Sequence, residues 1–315
     1  MYLPAQVRTR IGIGVSILLL SCLAEPESTT PWTPLFNGRN LDGWDLYLSI
    51  PDSSLDVPEW PRNQTGAYQT PLKAYDPLGV YTIVDLPEGP ALRISGAVVG
   101  NLYSTRPYAN YHLRARFKWG DIKWPWMQGR PKDGGILYHY QKPEGLASHR
   151  HEFQIHAGDV GSYWARRTRV EIPGRLTSEL PSAIIQAKPF LLPLVPNLGD
   201  TMAIFDPTHP PQSLAGNGQW AICLAHPLNE QPEGEWNTLE LICYQNHAVH
   251  IVNGKINMVI LNAHYQSGDS LLPINQGLIQ FQSEGAELFF RNVEIRQLHG
   301  FPDVLRSYQK AGWIQ

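Results

Sequence analysis

The sequence predicts an all-β fold, a two-sheet antiparallel sandwich with long loops. Twenty-seven glycines and twenty-seven prolines interrupt the chain. Between them, short runs alternate apolar and polar residues with a period of two, which is the pattern of half-buried strands. No long segment shows sustained helical periodicity, and no repeat of fixed length is evident. The alternating runs are 111–119, 134–140, 151–157, 237–244, 248–254, 277–283 and 288–298.

One hairpin and two long loops are predicted from turn residues. Asn253 and Gly254 separate two apolar runs, and an Asn-Gly pair is the strongest short-range signal for a tight hairpin turn. Residues 48–79 and 173–218 read as loops that could wall a pocket, and the second contains eight prolines. The alternation predicts burial of Phe153, Ile155, Leu239, Leu241, Val249, Ile251, Ile279 and Phe281.

The N-terminus predicts export. Arg8 and Arg10 precede an apolar run at 11–20, which is typical of a secretory signal and is short for a membrane span. LLSC at 19–22 resembles the bacterial lipobox, in which the cysteine is lipidated. We therefore expect a lipoprotein signal peptide at 1–21, a tether at 22–34 and a lipid anchor at Cys22 on the bacterial cell envelope. A plainly secreted protein and a buried apolar helix are the alternatives.

The composition and net charge limit the kinds of molecule that the protein is expected to bind. The formal net charge is −3 for the whole chain, and there is no basic run, so the sequence lacks the electrostatic footprint of a nucleic-acid-binding protein. Ten tryptophans and fourteen tyrosines can stack on sugar rings or fill a sandwich core. Cys223 and Cys243 lie in two predicted strands. An oxidising compartment permits a bridge between them, and two buried free thiols are equally consistent with the sequence.

A row of polar side chains lies in the run HEFQIHA at 151–157. Alternate residues of a strand share a face, so Glu152, Gln154 and His156 point one way, opposite to Phe153 and Ile155. The second pair belongs to the core. The polar row is either an ordinary solvated face or the floor of a binding groove.

Two further strands extend this row. Gln280, Gln282 and Glu284 share a face in 277–284, and Leu137 shares a face with His139 in 134–140. If these strands are neighbours, one surface carries carboxylates, imidazoles and amides, a set that suits a polyhydroxylated ligand. His139, Glu152 and His156 are also candidate ligands of a divalent metal, although no metal-binding spacing marks them.

Aromatic and basic residues beside these runs have two interpretations each. Trp126, like Trp119 and Trp124, could stack a sugar at the mouth of the groove or clamp a loop, and Trp164 follows the polar row. The basic cluster at 166–169 reads as a solvated edge.

Five stretches, in order, resemble the bacterial 3-keto-disaccharide hydrolase family. They are LFNGRNLDGWDLY (35–47), DGGILYH (133–139), HEFQIHAGDVGSYW (151–164), GEWNTLELICYQNHAVHIVNG (234–254) and LIQFQSEGAELFFRNVEI (278–295). The resemblance covers 35–298 and leaves 299–315 as a C-terminal tail. It implies a concanavalin A-like jelly roll of the lectin and glucanase type that acts on oxidised sugars. Three differences fall on the groove itself: Asp133-Gly134, His139 and Ser283-Glu284.

The implied chemistry is elimination followed by hydration. A ketone at C3 acidifies the C2 proton, so cleavage needs a base at C2, an acid at the leaving oxygen and a group that stabilises the enolate. Glu152, His156 and Glu284 are the predicted catalytic residues. Arg291, in the closing motif, is predicted to orient a groove carboxylate or a ligand hydroxyl. The predicted substrate-binding residues are His139, Gln154, Gln282, Arg291, Trp164 and Trp126.

Three other functions remain open at this point. Glu152 and Glu284 could act as the carboxylate pair of an ordinary glycoside hydrolase if their strands adjoin. A lipid-anchored carbohydrate-binding module, or a structural protein of the envelope, would show the same aromatic and amide residues, because fold does not determine function.

Overall fold

The regular structure is almost wholly β. The structure, a computed structural model, describes residues 30–141, 149–177, 202–216 and 220–314. This part of the chain contains twenty strands, two 3-10 turns (Pro125–Met127 and Asp303–Leu305) and one short helix, α1 (Arg306–Lys310). The strands are β1 (Thr33–Pro34), β2 (Trp44–Leu48), β3 (Tyr81–Leu86), β4 (Gly89–Ile94), β5 (Gly100–Ser104), β6 (Tyr108–Ala109), β7 (Tyr111–Lys123), β8 (Asp133–Tyr140), β9 (Arg150–His156), β10 (Tyr163–Arg166), β11 (Arg169–Leu176), β12 (Met202–Phe205), β13 (Pro211–Ala215), β14 (Trp220–Leu224), β15 (Asn237–Tyr244), β16 (His247–Val252), β17 (Lys255–Ser267), β18 (Ser270–Pro273), β19 (Gln276–Ser283) and β20 (Ala286–Gln297).

The strands form two layers. Sheet I has the order β3-β4-β20-β7-β15-β16-β17, and β1 also pairs with β20. Sheet II has the order β2-β5-β19-β8-β9-β10-β14-β12-β11. Strand β11 pairs with β17 as well, so the two sheets are joined along one side. The prediction of an antiparallel jelly-roll sandwich is confirmed, with one parallel pair, β12 and β14.

The core lies between the two sheets and consists of the apolar half of each alternating run. Phe281 of β19 packs edge-on against Phe290 of β20 with ring centroids 4.8 Å apart. Phe153 of β9 stacks on His250 of β16 at 4.2 Å. Burying a side chain of this size stabilises a fold by about 1.5–3 kcal/mol. All eight predicted core residues are buried except Ile251, which is half-buried.

The predicted hairpin joins β16 to β17. Asn253 and Gly254 have φ angles of 49° and 75°, the left-handed values that a two-residue turn of this kind requires. The Asn253 side chain also accepts a hydrogen bond from the backbone N–H of Thr238 at 2.8 Å.

The structure agrees with one of the two predicted loops and differs from the other. Residues 49–79 contain no named strand and are held by isolated bridges such as Leu48 to Lys73. The prediction for 173–218 is wrong over 173–176, 202–205 and 211–215, which belong to β11, β12 and β13. Pro211 is the first residue of its strand, where the missing N–H is tolerated. Residues 178–201 lie outside the described part of the chain.

The predicted tail folds back on the sandwich. Leu305 and Tyr308, from the last turn and helix, are buried in the core. The Trp313 carbonyl accepts a hydrogen bond from Asn262 of β17 at 2.9 Å.

Cys223 and Cys243 are buried free thiols. Cys223 lies in β14 of sheet II and Cys243 in β15 of sheet I. Of the two alternatives that the sequence left open, the free pair is therefore the one observed.

The predicted signal peptide and Cys22 lie outside the described residues. No helix in the described ranges is both long and apolar enough to cross a bilayer.

Candidate functional site

A cavity of about 620 Å³ opens on the face of sheet II that points away from the core. Its floor is built by β5, β19, β8, β9 and β10, and the segment after β7 forms one wall. The lining residues are Val99, Asn101, Trp126, Met127, Gly129, Arg130, Pro131, Asp133, Leu137, Arg150, Glu152, Gln154, His156, Trp164, Arg166, Gln282 and Glu284.

Strand register brings the polar rows together as the alternation predicted. Strand β8 lies between β9 and β19. His156 of β9 is opposite Asp133 of β8, and Gln154 is opposite Gly135. On the far side of β19, Gln282 is opposite Asn101 of β5. The same faces of four strands therefore form one polar floor.

Seven of the predicted site residues line this cavity. They include both predicted catalytic carboxyls: Glu152 is in β9, Glu284 immediately follows β19, and β8 lies between these two strands. The seven are Trp126, Glu152, Gln154, His156, Trp164, Gln282 and Glu284.

His139 does not line the cavity, because a β-bulge reverses the alternation of β8. Leu278 of β19 is opposite Tyr140, whereas Gln280 is opposite Leu137, so β8 contains one extra residue. His139 is at this bulge and has a φ angle of 54°. Because of the bulge, alternate residues of β8 no longer share a face at His139, so a prediction based on a regular strand places this side chain on the wrong face.

The His139 ring instead lies in the core. Its edge faces Tyr111 of sheet I, with ring centroids 5.8 Å apart. Burial lowers its pKa to about 4, so the imidazole is neutral at ordinary pH. The predicted roles of His139 in substrate binding and in a metal site with Glu152 and His156 are therefore wrong.

Arg291 also lies outside the cavity. It belongs to β20 of sheet I, and its guanidinium sits 5.4 Å from the centroid of the Trp236 ring. It donates a hydrogen bond to the Glu88 carbonyl at 2.5 Å. The predicted groove role is wrong, because β20 belongs to the opposite sheet.

Three carboxyl groups meet in the cavity and interact electrostatically. Burial, followed by the charges of Glu284 and Glu152, raises the pKa of Asp133 well above its ordinary value. Burial and the charge of Glu284 raise the pKa of Glu152 to about 8. Burial also raises the pKa of Glu284, but Arg150 and a hydrogen bond from Asp133 act against this shift. Of the three carboxyls, Glu284 has both a cationic neighbour and a side-chain hydrogen bond that favour its charged form.

Gly135 makes room for this cluster. A Cβ atom at this position would overlap Gln282 Oε1 and would lie 3.2 Å from Glu152 Oε1. The Glu152 carboxyl therefore leans along the sheet into the space that a side chain would fill.

Several buried polar atoms of the lining have no hydrogen-bond partner among the described residues, and they include four atoms of amide or indole groups. These four comprise three amide oxygens and one indole nitrogen, and a buried polar atom without a partner is costly, by about 1–3 kcal/mol each. They are Asn101 Oδ1, Gln154 Oε1, Gln282 Oε1 and Trp126 Nε1. A hydroxyl group can donate to an amide oxygen or accept from an indole N–H.

Two arginines line the other end of the cavity. Arg150 of β9 and Arg166 of β10 are directly opposite each other in register. The positive charge of Arg150 opposes the rise in the pKa of both Glu152 and Glu284. The prediction that Arg166 belongs to a solvated edge is wrong, since it faces the cavity.

The segment after β7 holds Trp126 above the floor. Trp124 donates its backbone N–H to the Gly285 carbonyl at 2.9 Å and its indole N–H to the Ser95 carbonyl at 2.8 Å. Trp124 thus anchors the loop, and Trp119 is buried in the core. Of these three tryptophans, Trp126 lines the cavity.

The candidate metal ligands do not form a metal site. In the ranges that the structure describes, no group of three or more His, Cys, Asp or Glu side chains is arranged to hold an ion.

Sequence reasoning placed Asp133 on the groove without assigning it a role, and it missed Gly135, Asn101 and Arg150. The signal for Asp133 was present, because Asp133, Gly135 and Leu137 share a face in DGGILY, and Leu137 was correctly placed. The contribution of Gly135 required the positions of its neighbours, which alternation does not provide.

A family model described as a 3-keto-alpha-glucoside-1,2-lyase-like domain matches residues 31–296. The chain belongs to this family. The resemblance seen in the five sequence stretches is thereby confirmed, and family membership supports a carbohydrate-active function.

Several solved structures are similar to the chain. A candidate glycosyl hydrolase from Parabacteroides distasonis ATCC 8503 is 16% identical, with a TM-score of 0.44 over 85% of this chain and 100% of that one. The carbohydrate-binding module CBM66 from Bacillus subtilis is 10% identical, with a TM-score of 0.37 over 69% and 92%. A Bacillus licheniformis β-glucanase is 8% identical, with a TM-score of 0.36 over 85% and 97%. No curated protein sequence matches the chain.

Proposed function

We propose that the protein cleaves the glycosidic bond of 3-keto-glycosides by elimination and subsequent hydration. The observation that carries the proposal is the carboxyl cluster of Asp133, Glu152 and Glu284 in a cavity with unpartnered amides. Within one site, the cluster holds carboxyl groups whose surroundings favour the charged form to different degrees. Acid and base assignments follow from groups whose environments separate their pKa values.

Glu284 is the base in this proposal. We assign it the charged form, because Arg150 and the hydrogen bond from Asp133 favour its carboxylate. Its carboxylate removes the proton from C2 of the sugar, and the electron pair delocalises into the C3 ketone as an enolate. The enolate then expels the oxygen at C1, which leaves a double bond between C1 and C2.

Glu152 is the acid. Its pKa of about 8 keeps it protonated at neutral pH, so it can donate its proton to the leaving oxygen. The His156 imidazole is assigned to the enolate oxygen, where a donor fixed in advance is most effective. Water then adds at C1 and a proton returns to C2, so the net reaction is hydrolysis.

Two alternatives are tested by the same experiment. Ordinary hydrolysis would use two of the carboxyls as acid and base without a ketone. A binding module would hold the sugar through the amides and tryptophans without cleaving it.

The experiment is incubation of the purified protein with 3-keto-disaccharides and with their unoxidised forms, with and without a chelator. We expect release of the leaving sugar from the keto forms only. Release from both forms would indicate ordinary hydrolysis, and binding without release would indicate a binding module. Loss of release with the chelator would indicate that a divalent metal takes part.

Two variants connect the activity to the cluster. Glu152→Gln and Glu284→Gln should each lower turnover by about 10²–10⁴-fold, the usual contribution of a general acid or base. The control is Glu294→Gln on sheet I, whose carboxylate pairs with Arg114 at 2.6 Å away from the cavity. If either cavity variant retained full turnover, its assigned role would be wrong.

A further inference from the structure

A second cavity of about 340 Å³ adjoins the first. The two share Val99 and Trp126 as lining residues, so one indole stands between them. Val99 immediately precedes β5, on the side of β19 away from β8. The second cavity therefore begins beside Glu284, at the carboxyl end of the first. Its lining is Ile50, Pro51, Asp52, Ser53, Ala67, Tyr68, Ala97, Val98, Val99 and Trp126.

The long loop at 49–79 builds the outer wall of this cavity and is well anchored. The Tyr68 hydroxyl accepts a hydrogen bond from the Val57 N–H at 2.9 Å and donates one to the Leu55 carbonyl at 3.0 Å. The Arg62 guanidinium packs 4.1 Å from the centroid of the Tyr68 ring. The Ser49 N–H donates to the Val99 carbonyl at 2.8 Å, which ties the loop to sheet II. The wall is thus formed before any ligand binds.

The lining of the second cavity is amphipathic. Trp126 supplies an aromatic wall, and its indole nitrogen is buried without a partner among the described residues. Asp52 and Ser53 supply oxygens at the exposed rim. Hydrogen bonds from Ser54 lower the pKa of Asp52, so its carboxylate is an acceptor at neutral pH. An aromatic face with a carboxylate and a hydroxyl at its edge matches the apolar face and the hydroxyl rim of a sugar ring.

We propose that the second cavity binds the group that leaves from C1, and that this group is a sugar or a similar cyclic polyol. The inference rests on the proposed function, because it places the oxidised sugar over the carboxyl cluster. The reacting bond then lies beside Trp126, and the rest of the substrate extends into the space walled by the loop. The loop, which is separate from the catalytic strands, would determine which leaving groups are accepted.

The test compares two substrates that carry the same 3-keto-sugar, one with a glucosyl leaving group and one with a methyl leaving group. Wild-type kcat/KM should be at least about tenfold higher for the glucosyl substrate. Ala67→Trp places an indole in the second cavity and should reduce this ratio at least tenfold. Thr65→Trp, an exposed residue of the same loop outside both cavities, is the matched control and should retain the wild-type ratio.

A wild-type ratio near one, or an unchanged ratio in Ala67→Trp, would overturn the inference. If Ala67→Trp does not fold, Ser53→Trp at the rim fills the same space and takes its place. If neither substrate is cleaved, the proposed function fails instead. In that case, calorimetry compares the affinities of wild type and Ala67→Trp for an unoxidised disaccharide. Equal affinities would overturn the inference that the second cavity binds a sugar.

Discussion

Gly135 illustrates how one residue without a side chain organises the site. Its position on β8 is opposite Gln154 on one side and in line with Gln282 on the other. Both Glu152 and Gln282 place an oxygen over its Cα atom. The arrangement of the carboxyl cluster therefore requires that residue 135 has no side chain.

We expect Gly135→Ala to lower turnover strongly while the protein stays folded. The new methyl group would overlap Gln282 Oε1 and crowd Glu152 Oε1, so both side chains must move away from the cluster. Displacing a catalytic group by about 1 Å can reduce rates about 10²-fold. Steady-state kinetics with a 3-keto-glycoside, together with thermal unfolding, measures both effects.

Gly134→Ala is the matched control for this substitution. A Cβ atom at residue 134 would meet the Leu288 side chain at 3.3 Å on the core side, away from the cluster. We expect this variant to keep its activity. Equal losses in the two variants would contradict the role assigned to residue 135.

The pKa of Glu152 predicts how stability changes with pH. The folded state raises this pKa from 4.5 to about 8, through burial and then the charge of Glu284. The folded state thus binds the proton more tightly than the unfolded state does. The resulting stabilisation is fully present below about pH 4.5 and is lost as the pH rises through about 8.

Thermal unfolding between pH 4 and pH 9 tests this sign. We expect the melting temperature of wild type to fall across the window, and that of Glu152→Gln to fall less, because the amide does not titrate. Parallel curves for the two proteins would show that Glu152 does not titrate as described.

At this scale, strand alternation predicted five of the residues that line the cavity. Glu152, Gln154, His156, Gln282 and Glu284 were found from parity alone, since a regular strand has only two faces. His139 was misplaced by a bulge, and Gly135 was missed because its contribution is made by neighbouring side chains.

At the scale of elements, the β8 bulge decides which side chains enter the core. It sends the His139 ring towards Tyr111. Burial raises the pKa of Tyr140 beyond the bulge, and the charge of Arg150, which lines the cavity, acts against this rise. A close approach of β19 accompanies the bulge. A Cβ atom on Gly277 would lie 2.6 Å from the His139 Cα atom and 2.7 Å from the Tyr140 nitrogen.

We therefore expect Gly277→Ala to destabilise the fold by about 1–3 kcal/mol, the usual effect of overpacking. Backbone atoms of β8 would have to move to admit the methyl group. Chemical denaturation measures the change, and the exposed neighbour Gln276→Ala is the control. An unchanged free energy of unfolding in Gly277→Ala would mean that the β8 backbone at the bulge can shift without a measurable loss of stability.

Strands were predicted correctly where apolar and polar residues alternate within one short stretch of sequence. The seven alternating runs all correspond to strands, because alternation reports one buried face. Strands β12 and β13 were missed because they are only four and five residues long and lie among prolines. Their pairing with β11 is a long-range property that a short sequence window does not reveal.

At the scale of the whole molecule, the family resemblance and the fold agree. Five stretches spread over the chain identified the family that the family model matches over 31–296. The order of strands in each sheet could not be predicted from the sequence, because it depends on pairings far apart in the chain. That order places β8 between Glu152 and Glu284.

Export and anchoring remain predictions from residues 1–22. We expect the protein to be exported and held at the cell envelope by a lipid on Cys22. Cys22→Ala should move it from the membrane fraction to the soluble fraction, as judged by fractionation and immunoblotting. The wild-type protein is the control, and a variant that still sediments with membranes would contradict the anchor.

The central claim is that Glu284 removes the C2 proton of a 3-keto-sugar. The most direct test is cleavage of a 3-keto-glycoside in deuterated water, with the released keto-sugar analysed by mass spectrometry and NMR. Elimination and hydration predict one deuterium at C2, acquired during turnover, and loss of this labelling in Glu284→Gln. The released sugar incubated without protein gives the background exchange. Release of a sugar with no deuterium at C2 above that background would contradict the account.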